Sequence, residues 1–220
     1  MNKLTIDKMD LAGKKVLVRC DFNVPLNDKL EITDDKRIMD ALPTLWRVIV
    51  EGAKLILISH MGRPKGKVVP ELSLKPVAER LSTFLNREVT LAPDCIGQEV
   101  KDMVNQMNEG DVILLENTRF HKEDTEGDEN FARQMSKLGD VFINDAFGIA
   151  HRSHASVSVI AKYFDKVAAG YLILKEMEYI GETMRKPGKP FAAILAGVKI
   201  TGKIDVINKH TPTTSKCPLE

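Results

Sequence analysis

The sequence predicts an α/β fold, an open parallel β-sheet flanked by helices on both faces in a Rossmann-like three-layer αβα arrangement. Short apolar segments alternate with longer amphipathic segments along most of the chain. This order is typical of strand–helix–strand units joined by right-handed crossovers. Several of the apolar segments are almost continuously apolar, which indicates strands covered on both faces.

Six apolar segments are predicted as strands: Lys15–Cys20, Lys54–Ser59, Val89–Leu91, Asp111–Leu115, Asp140–Asn144 and Phe191–Leu195. The amphipathic segments predict six helices: Asp35–Glu51, Leu74–Asn86, Gly97–Asn108, Asp128–Leu138, Ala155–Tyr163 and Ile173–Arg185. Ser73 is suited to cap the second helix, and Pro76 to its first turn.

One domain boundary stands out near the end of the chain. Pro187, Gly188 and Pro190 stop the last helix, and a new strand follows. Too few residues remain after it to bury a second core, so the second domain is predicted to be truncated. The predicted divisions are a first domain over residues 1–172, an interdomain helix and linker over 173–189, an incomplete second domain over 190–208 and a polar tail over 209–220.

Composition narrows the classes of partner. The 220 residues are 43% hydrophobic and 29% charged, with a net charge of +1, which argues against nucleic-acid or membrane partners. The N-terminus has no secretory apolar stretch, so a cytoplasmic protein is expected. Cys20, Cys95 and Cys217 are in no metal or redox spacing and fit a reducing compartment, and no metal site is expected.

Basic and polar residues recur in the segments that follow the predicted strands. Ligands of open parallel sheets bind at the carboxyl ends of strands, and arginine makes bidentate contacts to phosphate and carboxylate. Any one of these residues could instead be solvated, salt-bridged or a turn cap, but their recurrence at one edge predicts an anion site. The residues are Arg19, Asp21, Asn23, Arg37, His60, Arg63, Arg119, His151, Arg152 and His154.

Nucleotide motifs are weak by comparison. The chain contains no complete phosphate-binding P-loop, no G-x-G-x-x-G and no hydrolase G-x-S-x-G. Lys199 and Lys203, in AGVKITGKI, are the only lysines in a glycine-containing turn where a helix N-terminus could hold phosphates.

Five ordered segments carry a family resemblance. VRCDFNVP, ITDDKRI, SHMGRPKG, ENTRF and NDAFGIAHRSHAS together resemble phosphoglycerate kinase, over about residues 3–207. The resemblance implies a two-domain, hinge-bending enzyme that transfers a phosphoryl group reversibly between 1,3-bisphosphoglycerate and ADP. Its products are 3-phosphoglycerate and ATP.

The resemblance also implies roles for individual residues. Asp21 and Asn23 would hold the hydroxyl and carboxyl region of 3-phosphoglycerate, and Arg37 would face the transferring phosphoryl group. The phosphate end would be held by Arg63, Arg119 and Arg152 with His60 nearby, and the basic patch completed by Arg19, His151 and His154.

On the nucleotide side, the resemblance aligns Lys199 with a catalytic lysine and Lys203 with a phosphate-contacting lysine. Ala196, Val198 and Gly202 depart from the family pattern there, and the match ends after Asn208. The full-length family uses Mg-ATP and Mg-ADP, and the sites for the metal and the adenosine are absent from this sequence.

Two functional hypotheses remain open. In the first, the chain is part of a phosphoglycerate kinase that binds 3-phosphoglycerate or 1,3-bisphosphoglycerate but cannot complete turnover alone. In the second, it is a non-catalytic anion-binding or protein-interaction module derived from that family. The resemblance implies a monomer, although the exposed strand FAAILAG could drive self-association.

Overall fold

The computed structural model describes residues 4–185, with side chains described as far as Tyr179. Within this range six parallel strands form one sheet in the order β3-β4-β2-β1-β5-β6. The predicted fold class is therefore confirmed. The strands are β1 (Lys15–Arg19), β2 (Lys54–Ile58), β3 (Val89–Leu91), β4 (Val112–Leu114), β5 (Val141–Asn144) and β6 (Val167–Ala169).

Helices cover both faces of the sheet. They are α1 (Lys36–Val50), α2 (Lys75–Leu85), α3 (Gln98–Asn105), α4 (Lys122–Glu126), α5 (Glu129–Ser136) and α6 (Tyr171–Arg185). Two elements were not predicted from the sequence. The β6 strand is the short segment VAA, and the α4 helix is the wholly polar segment KEDTE, so neither shows the apolar pattern that indicates an element.

The residues of β1 and β2 alternate between two hydrophobic cores. Val16, Val18 and Leu55 pack with buried residues of α1 and α2, whereas Leu17 and Ile56 pack with those of α3 and α5. Since successive side chains of a strand point to opposite faces, both sets must be apolar in a three-layer fold. This arrangement explains why the strand segments are apolar throughout.

One predicted helix has a different geometry. Ala155–Val159 is a π-helical turn, and Ile160–Tyr163 is a 3₁₀ turn, so the segment predicted as a helix is helical but is not an α-helix. The backbone carbonyl of His154 accepts hydrogen bonds from three successive amides within this turn. The amide of Ser156 donates instead to the buried Asp124 carboxylate at 3.0 Å. Ser156 lies in the first turn, where an amide has no partner within the helix, and π-turns of this kind are frequent at functional sites.

The last described helix, α6, begins two residues earlier than predicted because side chains from other elements cap it. Thr44 Oγ1 accepts from the amide of Tyr171 at 2.9 Å, and Asp145 Oδ1 accepts from that of Leu172 at 2.9 Å. Unpaired N–H groups at a helix start are stabilised by such oxygens. One compact unit extends as far as Glu176.

Several sequence predictions concern residues beyond this range. The limits 1–172 and 173–189 stay predictions, and the divisions 190–208 and 209–220 lie outside the described residues, as does the strand proposed for self-association. Cys20 and Cys95 are buried free thiols, as expected. Among residues 4–185, no helix has the length and apolar character needed to cross a membrane.

Candidate functional site

The loops that carry the predicted site residues are neighbours in space. They follow β4, β2, β1 and β5, which occupy four adjacent positions in the sheet. The chain leaves β1 toward β2 on one side, while β5 pairs with β1 on the other. This reversal of strand order opens a crevice at the carboxyl edge, where open α/β sheets bind ligands.

The loop after β1 positions Asp21 and Asn23. Asp21 Oδ2 accepts from Arg37 Nη1, forming an ion pair between the loop and the first turn of α1. Asn23 Oδ1 accepts from the amide of Gly62 at 2.8 Å, which ties the loop to the one after β2. The carbonyl oxygen of Asn23 is thereby engaged, and its Nδ2 group is left to donate.

Gly62 is the backbone pivot between two site loops. Its φ of +59° is a left-handed conformation, and a Cβ there would lie 2.8 Å from Leu72 Cδ2. Its carbonyl accepts from Arg119 Nη1 at 2.7 Å. Only glycine adopts this φ and fits beside Leu72 without strain. The guanidinium of Arg119 is therefore held by one backbone carbonyl, and among the described residues its buried Nε has no hydrogen-bond partner.

Asn117 organises the loop after β4. Its Oδ1 accepts from the amides of Met61 and Arg119 at 3.1 Å, and its Nδ2 donates to the carbonyls of Met61 and Leu72 at 2.8 and 2.9 Å. This buried side chain uses all of its amide hydrogens. Asn117 lies in the segment ENTRF, but no role is predicted for it there, because a polar residue after a strand resembles an ordinary turn residue.

Arg19 lies beneath the site rather than on its surface. The side chain is fully buried, with Nε donating to Ser156 Oγ at 3.2 Å and Nη1 donating to the carbonyls of Cys20 and Ile58. Burial lowers the pKa of this guanidinium, and the charge of Asp124 opposes that effect. Arg19 is thus a buried cation that supports the loops from below.

Asp124 is the anion that compensates this buried charge. It is fully buried in α4, where Oδ2 accepts from Thr118 Oγ1 at 2.7 Å and Oδ1 accepts from the amide of Ser156. It therefore joins the loop after β4 to the π-turn. No sequence pattern indicates the burial of Asp124, because KEDTEG has the composition of an exposed acidic helix.

His60 is neutral in this site. Its Nδ1 lies 3.0 Å from Arg19 Nη2, and since arginine can only donate, Nδ1 must accept the hydrogen bond. Burial, followed by the positive charges of Arg19 and Arg119, lowers the pKa of His60 to about 2. Its remaining hydrogen is therefore on Nε2, and it can serve as a hydrogen-bond donor but not as a cation.

His154 is also held against protonation. Burial and the charges of Arg119 and Arg152 lower its pKa, although Asp124 acts in the opposite direction. Only 8% of the residue is exposed, and among the described residues Nδ1 has no hydrogen-bond partner. A buried imidazole nitrogen of this kind is open to a ligand or a water molecule.

The arginines of three loops act on one another electrostatically. Burial lowers the pKa of Arg119, and the charges of Arg152 and Arg63 lower it further, while Asp124 and Asp21 oppose them. Like charges gathered without matching anions create a positive potential that attracts an anion. Of the basic residues predicted in these loops, Arg37, Arg63, Arg152 and His151 are exposed, Arg119 is partly buried, and His60 and His154 are buried.

The charges of Arg37, Arg63, Arg119 and Arg152 act on one another or on His60 and His154, Asp21 pairs with Arg37, and Arg19 lies buried beneath them, whereas no contact joins His151 to the group among the described residues. The loops carry the basic cluster, which we define as Arg37, Arg63, Arg119 and Arg152 with the neutral His60 and His154. The two lysines predicted for the nucleotide, Lys199 and Lys203, lie outside the described residues.

A family model for phosphoglycerate kinase matches residues 6–216 of the chain. The chain belongs to the phosphoglycerate kinase family. It is 55% identical to a phosphoglycerate kinase of Chloroherpeton thalassium and 51% identical to one of Clostridium novyi, each match covering 94% of this chain and 52% of the relative. The chain therefore spans about half the length of these phosphoglycerate kinases.

Solved structures agree with the family assignment. The phosphoglycerate kinase of Coxiella burnetii is 36% identical, with a TM-score of 0.84, over 96% of this chain and 52% of the other. That of Pyrococcus horikoshii is 28% identical with the same TM-score, over 95% and 52%. The similarity covers the sheet, and therefore the edge that carries the basic cluster.

We expect Asp145, directly after β5, to make the free energy of unfolding depend on pH. Burial raises its pKa to about 6, against hydrogen bonds from Thr44, Ile173 and Leu172 that lower it. The folded state therefore holds this proton up to about pH 6, whereas an unfolded carboxyl loses it near 3.8. Between these two pKa values the folded state binds more protons than the unfolded state, so the free energy of unfolding falls as pH rises. The total fall across this range is roughly 3 kcal/mol.

Asp145→Asn retains an oxygen for the helix cap and cannot titrate. We expect the free energy of unfolding of the parent, measured relative to this variant by urea denaturation, to fall between about pH 4 and pH 7. The exposed Asp165→Asn serves as the control. Parallel curves of stability against pH for the parent and Asp145→Asn would contradict the burial of an ionisable proton here.

Proposed function

We propose that this chain carries the 3-phosphoglycerate site of a phosphoglycerate kinase, formed by the basic cluster at the carboxyl edge of the sheet. The observation that supports this most is that Arg63 and Arg152, on two other loops, lie near enough to Arg119 for their charges to lower its pKa. Planar guanidinium groups suit a phosphate because they offer paired donors. The phosphate end of the ligand lies against these three arginines and accepts a further hydrogen bond from His60 Nε2.

The other end of the ligand meets the loop after β1. Asn23 offers its Nδ2 donor to the carboxyl group, and Asp21 accepts from the hydroxyl. Arg37, paired with Asp21, lies where an acyl phosphate would transfer, and its charge would stabilise the phosphoryl group. Phosphoryl transfer depends mainly on positioning and charge neutralisation, so a cluster of fixed cations is the expected apparatus.

The residues proposed to bind the nucleotide lie outside the part of the chain that the structure describes. In the full-length family, Mg-ADP accepts the phosphoryl group or Mg-ATP supplies it. Lys199, proposed as catalytic, and Lys203, proposed to contact phosphate, both lie beyond residue 185. We propose that the 220 residues bind 3-phosphoglycerate but do not form ATP alone, since transfer needs both substrates in one closed site.

Calorimetry of the whole chain with 3-phosphoglycerate tests the binding proposal. We expect one site with a dissociation constant between about 1 μM and 1 mM, and weaker binding of inorganic phosphate, which lacks the carboxyl and hydroxyl groups. Glycerate, which lacks the phosphate, should bind weakest. Absence of heat from folded protein at millimolar 3-phosphoglycerate would contradict the proposed site, and ATP formation by this chain would contradict its inactivity.

The second candidate, a non-catalytic anion-binding or protein-interaction module, is favoured by one feature. The segment AGVKITGKI departs from the family pattern at three positions. A module that binds a protein partner through the basic cluster would lose that partner when Arg63 or Arg152 is replaced. Its affinity for 3-phosphoglycerate would not change.

A further inference from the structure

A second group of ligand-type side chains lies at the edge of the sheet, outside the basic cluster. Asp94 and Cys95 follow β3, and His121 immediately precedes α4. One side-chain atom of each residue lies within 4.8 Å of the others, giving a carboxylate oxygen, a sulfur and an imidazole nitrogen. The three residues come from two segments that are 26 positions apart in sequence, so no motif announces them.

We propose that Asp94, Cys95 and His121 form a binding site for a thiophilic divalent cation of the zinc type. Zn²⁺ takes this combination of thiolate, imidazole and carboxylate at about 2.0–2.3 Å from each donor. Ligand atoms around such an ion lie roughly 3.3–3.6 Å apart, a geometry implied by those bond lengths. The three donor atoms of the cluster lie within 4.8 Å of one another, so they would move closer together by about 1 Å around the ion.

Burial of the Cys95 sulfur and hydrogen bonds of the backbone hold the loop after β3 in place. Cys95 is fully buried, and its amide donates to Asp94 Oδ1 at 2.6 Å. The carbonyl of Asp94 accepts from the amide of Glu116 at 3.4 Å, which connects the loop after β3 to the loop after β4. These contacts place the thiol and the carboxylate side by side before any ion arrives.

The imidazole and the carboxylate provide the entry path. The side chains of His121 and Asp94 are 27% and 44% exposed, and His121 Nε2 lies 2.7 Å from Asp94 Oδ1. The imidazole also packs on the ring of Phe131, with 5.0 Å between ring centroids. An ion entering from solvent would replace the shared hydrogen between His121 and Asp94, and a water molecule would complete four-coordination.

The donor set also decides which ion binds. Magnesium prefers oxygen ligands in an octahedral arrangement, whereas sulfur and imidazole favour zinc, copper or cobalt. The site is therefore chemically distinct from any site for the magnesium of a nucleotide. Binding requires loss of the thiol proton from Cys95 and of any proton shared by the His121–Asp94 pair, so it should release protons and weaken as pH falls.

The test uses all 220 residues with Cys217→Ser as the parent. Cys217 is replaced because it lies outside the described residues and could bind metal itself. Co²⁺ added to this parent should release protons and give a thiolate-to-metal charge-transfer band in the near ultraviolet, and Zn²⁺ should displace the Co²⁺ and abolish the band. Cys95→Ala should abolish the band, and His121→Gln should weaken Co²⁺ binding more than about tenfold, since even changes outside the coordination sphere cost 10–100-fold.

The matched control is Cys20→Ala, which removes the other buried free cysteine and should leave the band and the Co²⁺ affinity unchanged. His121→Gln alters a partly exposed side chain and so remains informative if Cys95→Ala fails to fold. A parent without a thiolate band would overturn the proposal. Co²⁺ binding that survives both Cys95→Ala and His121→Gln would overturn it equally, because the ion would then reside elsewhere.

Discussion

Replacing Asp124 by Ala is expected to lower the free energy of unfolding by about 3–5 kcal/mol, the usual cost of leaving a buried charge without its partner. Asp124 is fully buried and accepts hydrogen bonds from Thr118 and Ser156. Its charge is also the largest favourable influence on the buried Arg19 guanidinium. The alanine variant would lose both hydrogen bonds and leave the Arg19 cation uncompensated.

Urea denaturation monitored by circular dichroism gives the measurement. Glu126→Ala is the matched control, because it removes an exposed carboxylate from the same short helix and should change stability by less than about 0.5 kcal/mol. Arg19→Met combined with Asp124→Ala should cost less than the sum of the two single changes, since each removes the other's unpaired charge. Additive costs would show that the two groups do not compensate one another.

Replacing Arg63 and Arg152 together by Ala is expected to weaken 3-phosphoglycerate binding by at least about a hundredfold. A hydrogen bond to a charged group contributes about 1.5–3 kcal/mol, so two lost guanidinium groups exceed that factor even if each makes one contact. Both side chains are exposed, and the fold should therefore be unaffected. Calorimetry with 3-phosphoglycerate at low and at physiological salt measures the loss.

The control for this pair is the double variant Arg133→Ala with Lys137→Ala. It removes the same net charge from exposed positions in and just after the last turn of α5 and should leave affinity within about twofold, because salt screens exposed charges that do not contact the ligand. Equal losses in the two double variants would point to a diffuse effect of net charge. Unchanged affinity after loss of Arg63 and Arg152 would remove the basis of the proposed site.

The position of the anion site could be predicted because it follows from topology. In an all-parallel sheet the carboxyl ends of all strands share one edge, so the chain segments after β1, β2, β4 and β5 had to meet there. Arg37, Arg63, Arg119 and Arg152 could be named in advance for that reason. Their ligand roles stay predictions, and Lys199 and Lys203 lie outside the described residues.

The sequence alone determined the α/β class, five of the six described strands and the loops that carry the basic cluster, because the hydrophobic period and the succession of strands and helices can be read along the chain. Only the tertiary structure decided the charge states and supports of that cluster. Arg19 is a buried cation, His60 is neutral, Asp124 is a buried anion and Asn117 joins two loops. Burial and hydrogen-bond partners depend on residues far apart in sequence, so the periodicity of one segment cannot reveal them.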